Sequence, residues 1–133
     1  MTVLFVCVHN AARSQMAETF LRELSAGCVL AMSAGSEGAG RIDPTAAQVM
    51  EEIGMPITGY PKKLTAEMVE SADTVITMGC GVDAASCPAN WFQTEDWGID
   101  DPKGSGIEAY RAARDRIREK VEILLGRIHE QES

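Results

Sequence analysis

The chain is 133 residues long, 45% apolar and 24% charged, with a formal net charge of -8. That size and balance fit one soluble globular domain, and no apolar run approaches the roughly 20 residues a membrane span needs. The acidic balance argues against nucleic acid or an anionic membrane as a partner, yet leaves room for a small anion held by a local cluster of dipoles.

The apolar run Val3-Leu4-Phe5-Val6 predicts a first strand over 2–7. From 14 to 25, Met16, Phe20 and Leu24 recur at helical spacing with Ala17 and Leu21 alongside. Between the two stands Cys7-Val8-His9-Asn10-Ala11-Ala12-Arg13-Ser14. A cysteine ending a strand, a five-residue loop and an arginine opening a helix let several backbone N–H groups face one small bowl. The helix N-terminus adds positive potential. Arg13 can fork two hydrogen bonds onto a tetrahedral oxyanion. The same field favours thiolate over thiol at Cys7. The predicted chemistry is a nucleophilic sulfur facing a phosphate-like anion, cradled by Val8, His9, Asn10, Ala11, Ala12 and Arg13. His9 reads as a rim residue rather than an acid or base.

A second strand is predicted at 29–33. Gly35, Gly38 and Gly40 behind it lack the spacing of a dinucleotide-binding loop and read as loop. Asp43 caps a second helix, with Pro44 in its first turn, Ala47, Met50 and Ile53 facing inward and Gly54 as its stop. Thr65 caps a short helix around 65–71, where Glu67 supplies early negative charge. Strands follow at 74–78 and, more weakly, at 89–94. A last helix spans about 105–129, with Tyr110, Ala113, Ile117, Val121, Leu124 and Ile128 on one stripe. Strands alternating with helices predict an α/β fold of three layers, a parallel sheet covered on both faces. Such sheets bind ligands outside the carboxyl ends of their strands. Cys7 lies at one such end and Cys80 just beyond another.

Cys80 and Cys87 are seven residues apart. On an intact helix that spacing separates them by about 10.5 Å, whereas a disulfide needs Cα atoms within roughly 4.4–6.8 Å. A bond between them therefore needs a looped or rearranging segment. Gly79 and Gly81 free the backbone around Cys80, and Pro88 biases Cys87 away from helical angles. The pair reads either as a relay for thiol–disulfide exchange beside Cys7 or as two small packing residues. Zinc is disfavoured, because neither a CxxC nor a nearby HxxxH is present. Asp101, in Trp97-Gly98-Ile99-Asp100-Asp101-Pro102, can reach the same sheet edge and protonate a leaving oxygen. An Asp-Pro turn explains it equally simply, and on spacing alone that reading is favoured.

Other chemistry-bearing residues read as structural. Cys28 is a core or surface thiol, and Trp91 and Trp97 pack near the fourth strand. His129 lies in a polar tail, while Arg111, Arg114, Arg116 and Arg118 alternate with acids on a solvated helix face. No internal repeat, low-complexity tract or linker interrupts the chain, so one domain over 1–133 is expected. Without a basic region followed by an apolar stretch and a small-residue cleavage site, a cytoplasmic address is expected. Four cysteines in such a chain suggest catalytic or redox use.

Cys7-x5-Arg13-Ser14-Gln15-Met16-Ala17-Glu18, Ser33-Ala34-Gly35, Thr77-Met78-Gly79-Cys80, Cys87-Pro88 and Trp97-Gly98-Ile99-Asp100-Asp101-Pro102 together resemble thioredoxin-coupled arsenate reductases of the low-molecular-weight protein tyrosine phosphatase superfamily. The resemblance implies a four-stranded parallel sheet in the order 2-1-3-4. It implies that Cys7 attacks arsenate held by the loop and Arg13, with Asp101 as proton donor. Ser14 would stabilise the Cys7 thiolate, and Asn10 would hold the loop in shape. Cys80 would then form a 7–80 disulfide and release arsenite, Cys87 would convert it to an 80–87 disulfide, and thioredoxin would reduce that bond. No bound cofactor is implied. Phosphate and sulfate would compete as anions, and a monomer is expected. Some relatives hold a monovalent cation; Asn10, Glu18 and Ser33 match its ligands, but Lys63 stands where an Asp would be, so its ammonium is expected to replace the ion. Three alternatives stay open. One is a phosphatase for phosphotyrosine or small phosphate esters, although Lys103-Gly104-Ser105 follows Asp101-Pro102 where such enzymes place tyrosines. The second is a reductase coupled to a small thiol or glutaredoxin. The third is a redox- or oxyanion-sensing module.

Overall fold

A computed structural model describes residues 1–37, 40–79 and 95–132. Strand β1 (Thr2–Cys7) is buried on both faces over its last five residues. Period-two alternation sends Val3, Phe5 and Cys7 into the larger apolar cluster and Leu4 and Val6 into the smaller one. A strand buried on both sides must be central. It pairs in parallel with β2 (Leu30–Gly35) on one side and β3 (Thr74–Thr77) on the other, and β3 pairs in parallel with β4 (Glu95–Asp96). The order is β2-β1-β3-β4, as the resemblance implied.

Helices α1 (Arg13–Leu24), α2 (Pro44–Glu51) and α4 (Ile107–Glu132) pack into the larger cluster through Met16, Phe20, Val49, Met50, Ile117 and Val121, among others. Helix α3 (Ala66–Ser71) lays Met68 and Val69 against the smaller cluster. The sheet is thus covered on both faces. Burying a side chain the size of Phe20 in such a layer contributes about 1.5–3 kcal/mol. Both predicted caps are present: the Asp43 carboxylate accepts from Thr45 N at 2.9 Å, and the Thr65 hydroxyl accepts from Met68 N at 3.2 Å.

Three expectations change. The fourth strand, expected at 89–94, is observed at Glu95–Asp96; residues 80–94, with Cys80, Cys87 and Trp91, lie outside the described residues. Two acidic residues carry no apolar run, so no sequence signal marks that pairing. The last helix continues to Glu132, which places His129 in an exposed helical turn instead of a tail. The arginine face is only partly solvated. Arg111 and Arg114 both bind the Glu52 carboxylate at the end of α2, at 2.5 and 3.0 Å, and Arg114 also donates to Val49 O. The Arg111 hydrogen bond, helped by Arg114, holds that carboxyl below its ordinary value. Trp97 is buried against Phe5, as expected, and of the two readings of Cys28, core or surface, the exposed one is observed. No helix among the described residues is long and apolar enough to cross a membrane.

The parallel register brings the carboxyl ends of all four strands to one edge. Cys7 is level with Gly35, Val6 with Thr77, and Thr77 with Asp96. Residues 8–13, 36–37, 78–79 and 97–101 leave the sheet there.

Candidate active site

Residues 8–12 form a loop whose carbonyls are tied outward. Cys7 O accepts from Ser36 N at 2.9 Å and Val8 O from Glu37 N at 2.8 Å. Ala11 O accepts from Asp43 N at 3.0 Å and Ala12 O from Met16 N at 2.9 Å. In a trans peptide the N–H points opposite to the carbonyl. Each bond therefore aims the next amide, of Val8, His9, Ala12 and Arg13, away from the anchor and toward the bowl. Asn10 closes the loop in the left-handed region at φ 58, which Asn tolerates better than most residues. Gly35 lies so close behind that a Cβ there would stand 2.6 Å from Val8 O, 2.8 Å from His9 C and 2.9 Å from Asn10 N.

The Cys7 sulfur receives two donors. Asn10 N–H reaches Sγ at 3.2 Å, and Ser14 Oγ lies 2.8 Å away. The direction of the second bond follows from the network behind it. Lys62 N can only donate, so the Asn10 atom it meets at 3.0 Å is Oδ1, and the Asn10 amide nitrogen faces Ser14 Oγ at 2.7 Å. With its oxygen already accepting, Ser14 turns its own hydrogen to the sulfur. Gln15 Nε2 adds a further bond to Asn10 Oδ1 at 2.9 Å. Asn10, Ser14 and Gln15 are fully buried. Two fixed donors on a buried sulfur suit a thiolate.

Arg13 opens α1 and is 7% exposed. Its Nη1 donates to Ile99 O at 2.7 Å, Gly79 O at 3.1 Å and Met78 O at 3.4 Å, which clamps the ends of β3 and β4 together. Nη2 points elsewhere, 3.8 Å from Asp101 Oδ2. Asp101 is exposed, and its Oδ1 accepts from Lys103 N at 3.1 Å. The two Asp101 oxygens are placed differently: one shapes the Asp-Pro turn and the other faces the arginine. Cys7, Ala12, Arg13, Asp43, Asp101 and Tyr110 share a cavity of about 470 Å³. His9 stands on its rim, 3.6 Å from Glu37. Cys80 and Cys87, predicted to serve this site, lie outside the described residues.

Two cavity residues carried no functional reading in the sequence. Asp43 read as a helix cap and Tyr110 as one member of an apolar stripe. Tyr110 donates to Asp43 Oδ2 at 2.5 Å across 67 residues of chain. Burial first, then the Asp43 hydrogen bond and the charges of Asp43 and Asp101, push its phenol well above the ordinary value, so it remains a donor. The available signal was a polar tip on an otherwise apolar stripe.

Of the three matching residues, Ser33 and Glu18 meet, with Ser33 Oγ donating to Glu18 Oε1 at 2.9 Å. Lys63, however, is exposed and bridges Gly35 through its backbone, while the cation beside Glu18 Oε2 is Arg22, at 3.5 Å. Arg22 lies one helical turn after Glu18, a spacing that favours this pairing. Asn10 Oδ1 already accepts two donors and Glu18 Oε2 faces Arg22, so this set does not fit a resident monovalent cation.

Comparison with known proteins agrees with this geometry. The family described as low molecular weight phosphotyrosine protein phosphatase matches residues 2–133. A glutaredoxin arsenate reductase of Synechocystis is 39% identical, over 95% of this chain and 97% of that protein. An arsenate reductase solved in a phosphate-binding state has a TM-score of 0.80 at 39% identity, covering 96% of this chain and 98% of that one. The YwlE arginine phosphatase of Geobacillus stearothermophilus has the same TM-score at 27% identity, covering 98% and 94%.

Proposed function

The chain belongs to the low molecular weight phosphotyrosine protein phosphatase family, and from that premise we propose that it reduces arsenate to arsenite, with Cys7 as nucleophile. The observation that carries the reading is the Cys7 sulfur held by Ser14 and Asn10 under the same loop whose amides and Arg13 face the cavity. Arsenate sits in that bowl, its charge met by the loop dipoles and the outward guanidinium nitrogen. Cys7 attacks arsenic and one oxygen leaves as water, protonated by Asp101.

The second step takes its thiol from Cys80, the residue next to the Gly79 carbonyl that Arg13 holds. Cys80 attacks the Cys7 sulfur, the sulfur–arsenic bond breaks with its electron pair going to arsenic, and arsenite leaves a 7–80 disulfide. Cys87 attacks Cys80, which frees the Cys7 thiolate and forms an 80–87 disulfide, and thioredoxin supplies two electrons to reduce it. No bound cofactor takes part.

A second reading, phosphate-ester hydrolysis, is favoured by the family and by the likeness to an arginine phosphatase; it needs Cys7, Arg13 and Asp101 but neither Cys80 nor Cys87. A single-turnover experiment separates them. Pre-reduced protein, freed of reductant and mixed with arsenate, releases about one arsenite per chain, and Cys7→Ser releases none. Absence of arsenite together with sustained hydrolysis of an aryl phosphate would establish the phosphatase.

A further inference from the structure

Three of the four backbone bonds to the carbonyls of the anion loop come from its own helix or from the residues after β2: Met16, Ser36 and Glu37. The fourth, from Asp43 N–H to the Ala11 carbonyl, comes from the cap of α2, a separate element. Where that cap stands depends on what holds the near end of α2. The far end is fixed to α4 by Glu52, through Arg111 and Arg114. The near end is fixed to α4 by the Tyr110 hydroxyl on Asp43 Oδ2; the other carboxylate oxygen is spent within the helix, on Thr45 N.

We infer that Tyr110 is a positioning residue for the bound anion: its hydroxyl fixes Asp43, Asp43 N–H fixes the Ala11 carbonyl, and the Ala11–Ala12 peptide thereby presents the Ala12 amide to the oxyanion. Tyr110 is 5% exposed and held protonated, so the strut does not titrate near neutrality. Its loss would leave an Asp43 oxygen half-buried without its donor and the near end of α2 attached to α4 by packing alone. Glu52 would keep the far end in place, so the slack falls on the loop. The inference concerns anion binding and stands whether the site reduces arsenate or hydrolyses a phosphate ester.

The test is an NMR titration of the reduced protein with inorganic phosphate, following the loop amides. Tyr110→Phe keeps the ring and removes the hydroxyl. Asp43→Ser keeps a capping oxygen for α2 but is too short to reach Tyr110, whereas Asp43→Asn keeps Oδ1 on Thr45 N and turns its Nδ2 as donor to the Tyr110 oxygen, so the strut persists with that bond reversed in direction. Tyr110→Phe and Asp43→Ser are expected to weaken phosphate about five- to tenfold, the loss of one net hydrogen bond. The phosphate-induced shift of the Ala12 amide should shrink while those of Val8 and His9 persist, and Asp43→Asn should bind phosphate as wild type does. Wild-type phosphate affinity in the first two variants, with only a lower Tm, would reduce Tyr110 to packing. Equal attenuation at all loop amides would also overturn the inference, since it would mean that Tyr110 does not act through the Ala11–Ala12 peptide.

Discussion

Gly35→Ala perturbs the loop from behind without touching a reacting group. Gly35 needs no unusual backbone angle, so the effect is steric alone. A Cβ would stand 2.6 Å from Val8 O and under 3.0 Å from two further loop backbone atoms, none of which is the tip of a flexible side chain. To reach an ordinary contact of 3.4 Å the loop must retreat by about 0.8 Å. That movement works against the Glu37 N–H bond to Val8 O and turns the His9 amide off its aim. A misplacement of that size near reacting atoms costs on the order of 10²-fold in rate, and overpacking costs about 1–3 kcal/mol in stability. The assay pairs single-turnover arsenite release with phosphate protection of Cys7 against alkylation, quantified on the Cys7 peptide. Both should fail while the protein remains folded. Wild-type rate and protection in Gly35→Ala would refute the claim that the loop is held at its geometry by close packing on β2.

Ser14→Ala removes one of the two donors to the Cys7 sulfur; alkylation of Cys7 at pH 6 should slow about tenfold or more, since a hydrogen bond to a charged group contributes about 1.5–3 kcal/mol, and an unchanged rate would contradict the direction assigned to that bond. Asp101→Asn should slow arsenite release by roughly 10²–10⁴-fold while phosphate still binds; an unaltered rate would return Asp101 to its turn. Tyr110 also makes stability pH-dependent. Its phenol titrates well above 10.0 when folded, so its contribution is complete below pH 10 and falls above it, as the unfolded chain loses its proton first. Urea unfolding between pH 8 and 11 should show a steeper alkaline loss in wild type than in Tyr110→Phe, and parallel curves would contradict the buried hydrogen bond.

The sequence was most legible where one short segment carries both structure and chemistry. The run 2–7, the cysteine at its end and the arginine five residues beyond the loop's first residue announced β1, the anion loop and α1 within two residues of their observed bounds. Helix caps at Asp43 and Thr65 were equally local signals. Contacts between distant segments left no such trace. Nothing in the sequence tells that the Tyr110 hydroxyl meets Asp43 or that Gly35 presses on Val8, whereas the Glu18–Arg22 spacing was a local signal left unread. Strand β4 was displaced because pairing with β3, not apolar content, defines it. Arg114 was read as solvated because its acidic neighbours in sequence hid a partner on α2.

The relay is tested most directly by arsenate-dependent NADPH oxidation with thioredoxin and thioredoxin reductase, wild type beside Cys87→Ser. Steady turnover is expected in the wild type and at most one arsenite per chain in the variant. Steady turnover of Cys87→Ser, or wild-type turnover only with glutathione and glutaredoxin, would contradict the three-cysteine route to thioredoxin.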